Sequence, residues 1–116
     1  MKRTIRFYAT TSGAVPTEEF LDALSDKVVQ KIIAVIELAE TERIVSTRFL
    51  KKLSGTGLFE FRIRWESNIY RLLCFFDRDS TVVITHGFVK KTQKTPQREI
   101  QRAERFRRDY FARKAR

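Results

Sequence analysis

The sequence predicts an α+β fold: a small antiparallel sheet packed against an N-terminal pair of helices, with a basic helix at the C-terminal end. Three observations predict it. Residues 58–91 hold three apolar runs separated by links too short for a helix. Residues 18–41 carry apolar side chains at spacings of three and four, the mark of one buried helical face. Beyond Pro96 a second helical stripe recurs, with arginines off the stripe.

Taken in order, the first element is a strand over residues 3–9. Ile5 and Phe7 alternate there with Thr4, Arg6 and Tyr8, and its short, half-polar character places it on a sheet edge. Gly13 and Pro16 mark a turn or loop. Thr17 reads as a helix N-cap, followed by Glu18 and Glu19 where the helix dipole favours acids. Phe20, Leu24, Val28, Ile32, Val35 and Ala39 then line one face, which Ile33 and Ile36 widen. Ser25-Asp26 is a second capping signal, so one helix and two helices both fit. Residues 42–57 are less periodic, and Ser54-Gly55-Thr56-Gly57 is a turn cluster.

The sheet is expected to be this N-terminal strand plus a three-stranded meander. In the first meander run Phe59, Phe61, Ile63 and Trp65 alternate with Glu60, Arg62 and Arg64, giving one apolar and one charged face. The second, residues 69–76, is apolar on both faces except at Tyr70 and Arg71, as suits a central strand. The third begins with the β-branched Val82, Val83 and Ile84 and ends in Lys90 and Lys91. The links, residues 66–68 and 77–80, are of hairpin length. Thr95-Pro96 reads as an N-cap with proline at the first helical position. Ile100, Ala103, Phe106, Tyr110 and Phe111 share a stripe, and Arg98, Arg102, Arg105 and Arg108 lie mainly off it.

A chain of 116 residues suits one domain, with no linker or repeat to divide it. A hydrophobic content of 42% excludes wholesale disorder. No apolar run approaches the ~20 residues of a membrane span, and the start MKRTIRFYAT has no secretory pattern. Cys74 is the only cysteine, so no intrachain disulfide can form, and a cytoplasmic location is expected. Net charge is +10. Residues 1–57 carry nine Lys/Arg against seven Asp/Glu, and residues 58–116 fifteen against seven. Residues 86–116 alone hold eleven against three. A polyanion is the natural partner, since neutralising phosphates releases counterions; a simply soluble basic protein, or an acidic protein partner, also fits.

Chemistry has few places to sit. One histidine and one cysteine make no zinc cluster, the acids form no motif, and no metal or cofactor is expected. Gly55-Thr56-Gly57 lacks the rest of a phosphate-cradling loop. A Cys74–His86 nucleophilic pair is disfavoured by the apolar strand around Cys74. The remaining constellation is cationic: Arg62, Arg64, Arg71, Lys90 and Lys91. A central-strand arginine needs an ion partner or an anionic ligand, because an unpaired buried charge is costly. For Arg71 that is either a salt bridge, with Glu60, Glu66 or another acid, or a phosphate. Cations aimed at a scissile phosphate can stabilise the phosphorane formed when an RNA 2′-hydroxyl attacks. His86 is the one side chain with an ordinary pKa near neutrality, and reads either as a proton-transfer group or as a half-buried strand residue. Lys51 and Lys52 are either a solvated pair or the rim of an anion site.

Three segments carry a resemblance. Gly57-Leu58-Phe59-Glu60-Phe61-Arg62, Tyr70-Arg71-Leu72, and the run His86-Gly87-Phe88-Val89-Lys90-Lys91-Thr92-Gln93-Lys94-Thr95-Pro96 resemble the RelE/ParE toxin superfamily. More closely they resemble its phage-derived HigB-like branch, where "L-(Y/F/W)-E-(L/F)-R", "YR" and "GF-x-KK-T-x-K-T-P" stand in this order. The similarity covers nearly the whole chain.

The resemblance implies a RelE-like fold with helices on one face of the sheet and a cationic cleft. It implies the toxin of a type II toxin–antitoxin pair, an endoribonuclease that enters the ribosomal A site and cuts mRNA without a metal. By position Arg71 matches the arginine that contacts the scissile phosphate, Arg62 a lysine on the preceding strand, and Lys90 or Lys91 the basic residues after the last strand. With His86 these are the catalytic candidates; Arg64, Lys51, Lys52, Lys94, Arg98 and Arg102 are candidates for holding RNA or the ribosome. Glu60 stands where RelE itself has lysine, and Pro96 lies near the place of a RelE tyrosine, so His86, Glu60 and Lys91 all stay open for proton transfer. The implied partners are mRNA, the ribosome with its rRNA, and a small HigA-like antitoxin with a helix-turn-helix. A ParE-like inhibitor of DNA gyrase and an inactive basic binding module are the competing readings.

Overall fold

The computed structural model describes residues 3–78, 80–91 and 94–115. Its elements run β1 (Thr4–Phe7), α1 (Pro16–Asp22), α2 (Asp26–Thr41), β2 (Leu50–Lys52), β3 (Phe59–Trp65), β4 (Asn68–Asp77), β5 (Thr81–Lys90) and α3 (Gln97–Lys114). Asp79 of the second hairpin link, and Thr92 and Gln93 of the basic motif, lie outside the described residues.

The α+β class and the antiparallel meander β3-β4-β5 are as expected. The sheet itself is mixed. Its order is β1-β5-β4-β3-β2, and β1 lies on the expected edge but runs parallel to β5, with Ile5 opposite Val82 and Phe7 opposite Ile84. A parallel neighbour needs a long return path; here α1, α2 and three strands supply it. The fifth strand, β2, arises in the aperiodic stretch, where Leu50 pairs with Phe61 and Lys52 with Phe59.

Two helices occupy residues 16–41, because the Ser25 hydroxyl accepts from the Val28 N–H and starts α2 afresh. Thr17 is not the cap of α1. Pro16 begins that helix, its fixed φ already helical, and Thr17 is buried within the first turn. Likewise Pro96, not Thr95, occupies the cap of α3 and leaves the Thr95 side chain to other work.

The sheet has a core on each face. Val28, Ile32, Val35 and Ala39 of α2 pack with Phe61, Ile63, Leu72, Cys74, Val82 and Ile84. On the opposite face Ala103 of α3 packs with Leu58, Leu73, Phe75 and Val83, and Ile100, Phe106, Tyr110 and Phe111 complete that layer. Helices therefore cover both faces, whereas the resemblance implies one covered face. The amphipathic stripe of α3 is the reason: its apolar residues need a surface, and β4 offers one on each side. Hydrogen bonds fix the far end of α3. Tyr110 and Lys114 both donate to the Asp77 carboxylate, at 2.6 and 2.5 Å, and the Tyr8 hydroxyl donates to Asp109 at 2.5 Å.

Candidate functional site

Strand parity gathers the candidate side chains on the α3 face. On β3, Glu60, Arg62 and Arg64 oppose the apolar set Phe59, Phe61 and Ile63. Their cross-strand neighbours on β4 are Leu73, Arg71 and Ile69. On β5 the matching positions are His86, Phe88 and Lys90. Period-two counting from Val82 and Ile84 would send those three to the other face. A β-bulge reverses them: Leu73 pairs with His86 but Cys74 pairs with Ile84, leaving Thr85 as the extra residue. The Thr85 hydroxyl donates to the Leu73 carbonyl at 3.1 Å and sits 3.1 Å from His86 Nδ1.

Three rows result across the sheet. The row Lys51, Glu60, Leu73 and His86 runs beneath α3. Next come Arg62, Arg71 and Phe88, then Arg64, Ile69 and Lys90 near the β3–β4 hairpin. Arg71 and Glu60 are completely buried. Arg62 Nε donates to Glu60 Oε1 at 2.6 Å. The other carboxylate oxygen lies 3.9 Å from an Arg71 nitrogen and accepts from Thr95 Oγ1 at 2.5 Å, while Arg71 donates to the same hydroxyl at 3.3 Å. Burial pulls the Arg71 guanidinium below its ordinary pKa, and the charge of Glu60 opposes that. The salt-bridge reading of Arg71 is the arrangement found, with Glu60 as the acid.

His86 is buried too. Its Nε2 sits 3.0 Å from Glu99 in the first turn of α3, and Phe88 and Phe106 flank the ring. Burial pushes its pKa below the ordinary value and the nearby Arg102 and Arg105 charges push the same way, against the Glu99 hydrogen bond and charge. Cys74 lies in the core on the opposite face from His86, and burial raises its thiol well above the ordinary range. The two cannot form a catalytic pair.

The rest of the set stands nearer to solvent. Arg64, Lys91 and Lys94 are exposed, Lys90 is half-buried, and Arg62 retains 15% exposure. Of these, Arg62, Arg64 and Lys90 share one face at the β3–β4 hairpin end of the sheet. Lys51 belongs to the same face, opposite Glu60, whereas Lys52 pairs with Phe59 and its amine lies over that ring on the other face. Arg98 is exposed and Arg102 stacks on Phe106, both on α3. Thr95 and Glu99, which hold Arg71 and His86, carry no local signal of that role in the sequence. Among the described residues no group of three His, Cys, Asp or Glu side chains is placed to hold a metal ion, and no helix is long and apolar enough to cross a membrane.

A five-stranded mixed sheet between helices, with cations gathered at one end of one face, defines a small basic α+β protein of a form consistent with a RelE-like fold. No curated protein matches the chain. Residues 19–108 match the family described as phage derived protein Gp49-like (DUF891), and the chain belongs to that family. The family is phage-derived and toxin-like.

Proposed function

We propose that this chain is the toxin of a type II toxin–antitoxin pair and cuts mRNA in the ribosomal A site without a metal, as the resemblance to HigB-like toxins implies. The observation that carries this reading is the row Arg64–Ile69–Lys90 with Arg62 beside it, in which Arg64 is exposed and Lys90 and Arg62 are half-buried on one face of the sheet. Cations so placed bind a phosphate backbone from one side. In the proposed reaction the ribose 2′-oxygen attacks the phosphorus and the 5′-oxygen leaves. Arg62, Arg64, Lys90 and Lys91 neutralise the phosphorane.

Arg71 and His86 take different parts. Arg71 is wholly buried and lies beside the Glu60 carboxylate that in turn orients Arg62. Of the three groups open for proton transfer, Lys91 alone is exposed; Glu60 and His86 stand behind Thr95 and Glu99. Lys51, Lys94, Arg98 and Arg102 extend the positive surface along α3 toward rRNA, and Lys52 is placed outside it.

Primer extension on a defined mRNA in a coupled translation reaction tests the proposal. New 5′ ends at codon positions only when ribosomes are present, and lost with Arg64→Ala combined with Lys90→Ala, are expected. Intact mRNA with blocked DNA supercoiling would overturn it in favour of a gyrase inhibitor.

A further inference from the structure

β2 covers β3 for only three residues, from Phe59 to Phe61. Just beyond, the Arg62 N–H still donates to the Phe49 carbonyl at 2.8 Å. From there to Trp65, β3 has no strand on that side among the described residues. In an antiparallel ladder alternate residues point their backbone groups to alternate sides. Arg62 points its N–H toward the β2 side, so the N–H and C=O of Arg64 face the same way, into the open edge. A groove of about 270 Å³ lies along this edge, between β3, α2 and the segment before β2.

The groove has two kinds of wall. Val35, Phe49 and Ile63 line the side toward α2, while Arg62 and Arg64 project on the other side of β3. Lys31 and Arg48 add two further cations, and no acidic residue lines it. At its end the Trp65 ring lies beneath the amines of Lys27 and Lys31, at 5.2 and 4.1 Å. An unpaired strand edge is a template for another chain, and these walls dictate what that chain must carry. The residue of an added strand opposite Arg64 meets positive charge, and the next residue meets the apolar wall.

We propose that this edge binds an extended segment of a partner protein in which acidic and apolar residues alternate. The segment pairs with Arg64 through its backbone and sets its carboxylates against Arg64 and the groove cations Lys31 and Arg48. Arg64 belongs to the cationic face described above, so a bound segment withdraws it from any polyanion. Binding itself does not depend on the nuclease reading.

Two short synthetic peptides of identical composition test this, one alternating Glu and Val and one with the same residues in two blocks. Trp65, the only tryptophan, reports binding through its fluorescence, and hydrogen exchange at the Arg64 amide reports strand pairing. No ribosome or mRNA is present, so a failed nuclease assay leaves the outcome unaffected. The alternating peptide is expected to saturate the signal and slow exchange at Arg64. Replacing Lys31 and Arg48 by Glu, in a protein whose circular dichroism is unchanged, is expected to weaken binding by about tenfold or more. Equal binding of the block peptide, or unchanged exchange at Arg64, would overturn the proposal. So would an oligouridylate that alters Trp65 fluorescence and displaces the alternating peptide, since the groove would then be an RNA site.

Discussion

The carboxylate of Glu60 lies 3.9 Å from the Arg71 guanidinium, with both side chains wholly out of solvent. Without Arg71, Glu60 keeps Arg62 and Thr95 but loses a buried counter-charge, and a void opens where a wholly buried side chain stood. Arg71→Ala is therefore expected to destabilise the protein by about 3 kcal/mol or more. Urea unfolding checks this. Combining Arg71→Met with Glu60→Gln should cost less than the sum of the two single changes by about 1 kcal/mol. Strict additivity would show that the pair is not coupled. Loss of toxicity in Arg71→Ala alone thus says little about chemistry.

The exposed cations make the cleaner functional test. Arg64→Ala should leave stability within about 0.5 kcal/mol, because the side chain is solvated. RNA affinity should fall, and the slope of log K against log salt should shrink by about 0.7 for each single-strand phosphate no longer neutralised. Lys90→Ala should act in the same way, and Lys52→Ala, on the opposite face, should change neither quantity. A salt slope equal in all three variants would remove the Arg64–Lys90 row from the interface.

Much of the fold is legible in the sequence because its signals are local. The alternation along β3, the doubly apolar β4, the Ser25 cap and the stripe of α3 each occupy a few consecutive residues. What escapes depends on pairings distant in sequence. β2 is three residues long and exists because Phe59–Phe61 offers it an edge. The parallel pairing of β1 with β5 joins residues far apart in sequence, and local alternation carries no direction. The bulge at Thr85 moves His86, Phe88 and Lys90 to the cationic face, against simple parity. The site is legible as a set of cations but not as a network. Thr95 has the sequence context of a helix cap, yet its hydroxyl bridges Glu60 and Arg71; Glu99 has that of a first-turn acid, yet it holds His86.

Burial of His86 carries a pH dependence. Its folded pKa lies below the ordinary 6.5, so the unfolded chain binds the proton more readily. Stability is then full above the unfolded value and falls as pH drops through 6.5 toward the folded pKa, with a slope of at most about 1.4 kcal/mol per pH unit. Asp77 acts in a separate, more acidic window. Its hydrogen bonds from Lys114 and Tyr110 hold its pKa below 3.8, so its contribution is present above that value and lost as pH falls through the folded pKa. Thermal unfolding from pH 8 to pH 5 should therefore show a decline that His86→Gln removes. A decline retained in full by His86→Gln would assign it to other groups.

Gly87 is fixed by the close approach of α1 to the sheet. A Cβ there would stand 2.3 Å from a Phe20 ring carbon and 2.7 Å from a Leu72 methyl. Leu72 is completely buried and has no room to retreat, and the half-buried Phe20 packs against the same core. Gly87→Ala is thus an overpacking change, expected to cost about 1–3 kcal/mol and to push α1 from β5. The backbone of Gly87 is not left-handed, so its space and not its φ is what the substitution violates. Phe20→Leu should return part of the loss in the Gly87→Ala background while destabilising the native background through the void it leaves. Denaturant midpoints of the four proteins decide the matter: if Phe20→Leu lowers stability equally in the native and Gly87→Ala backgrounds, the contact between α1 and β5 is not what requires glycine.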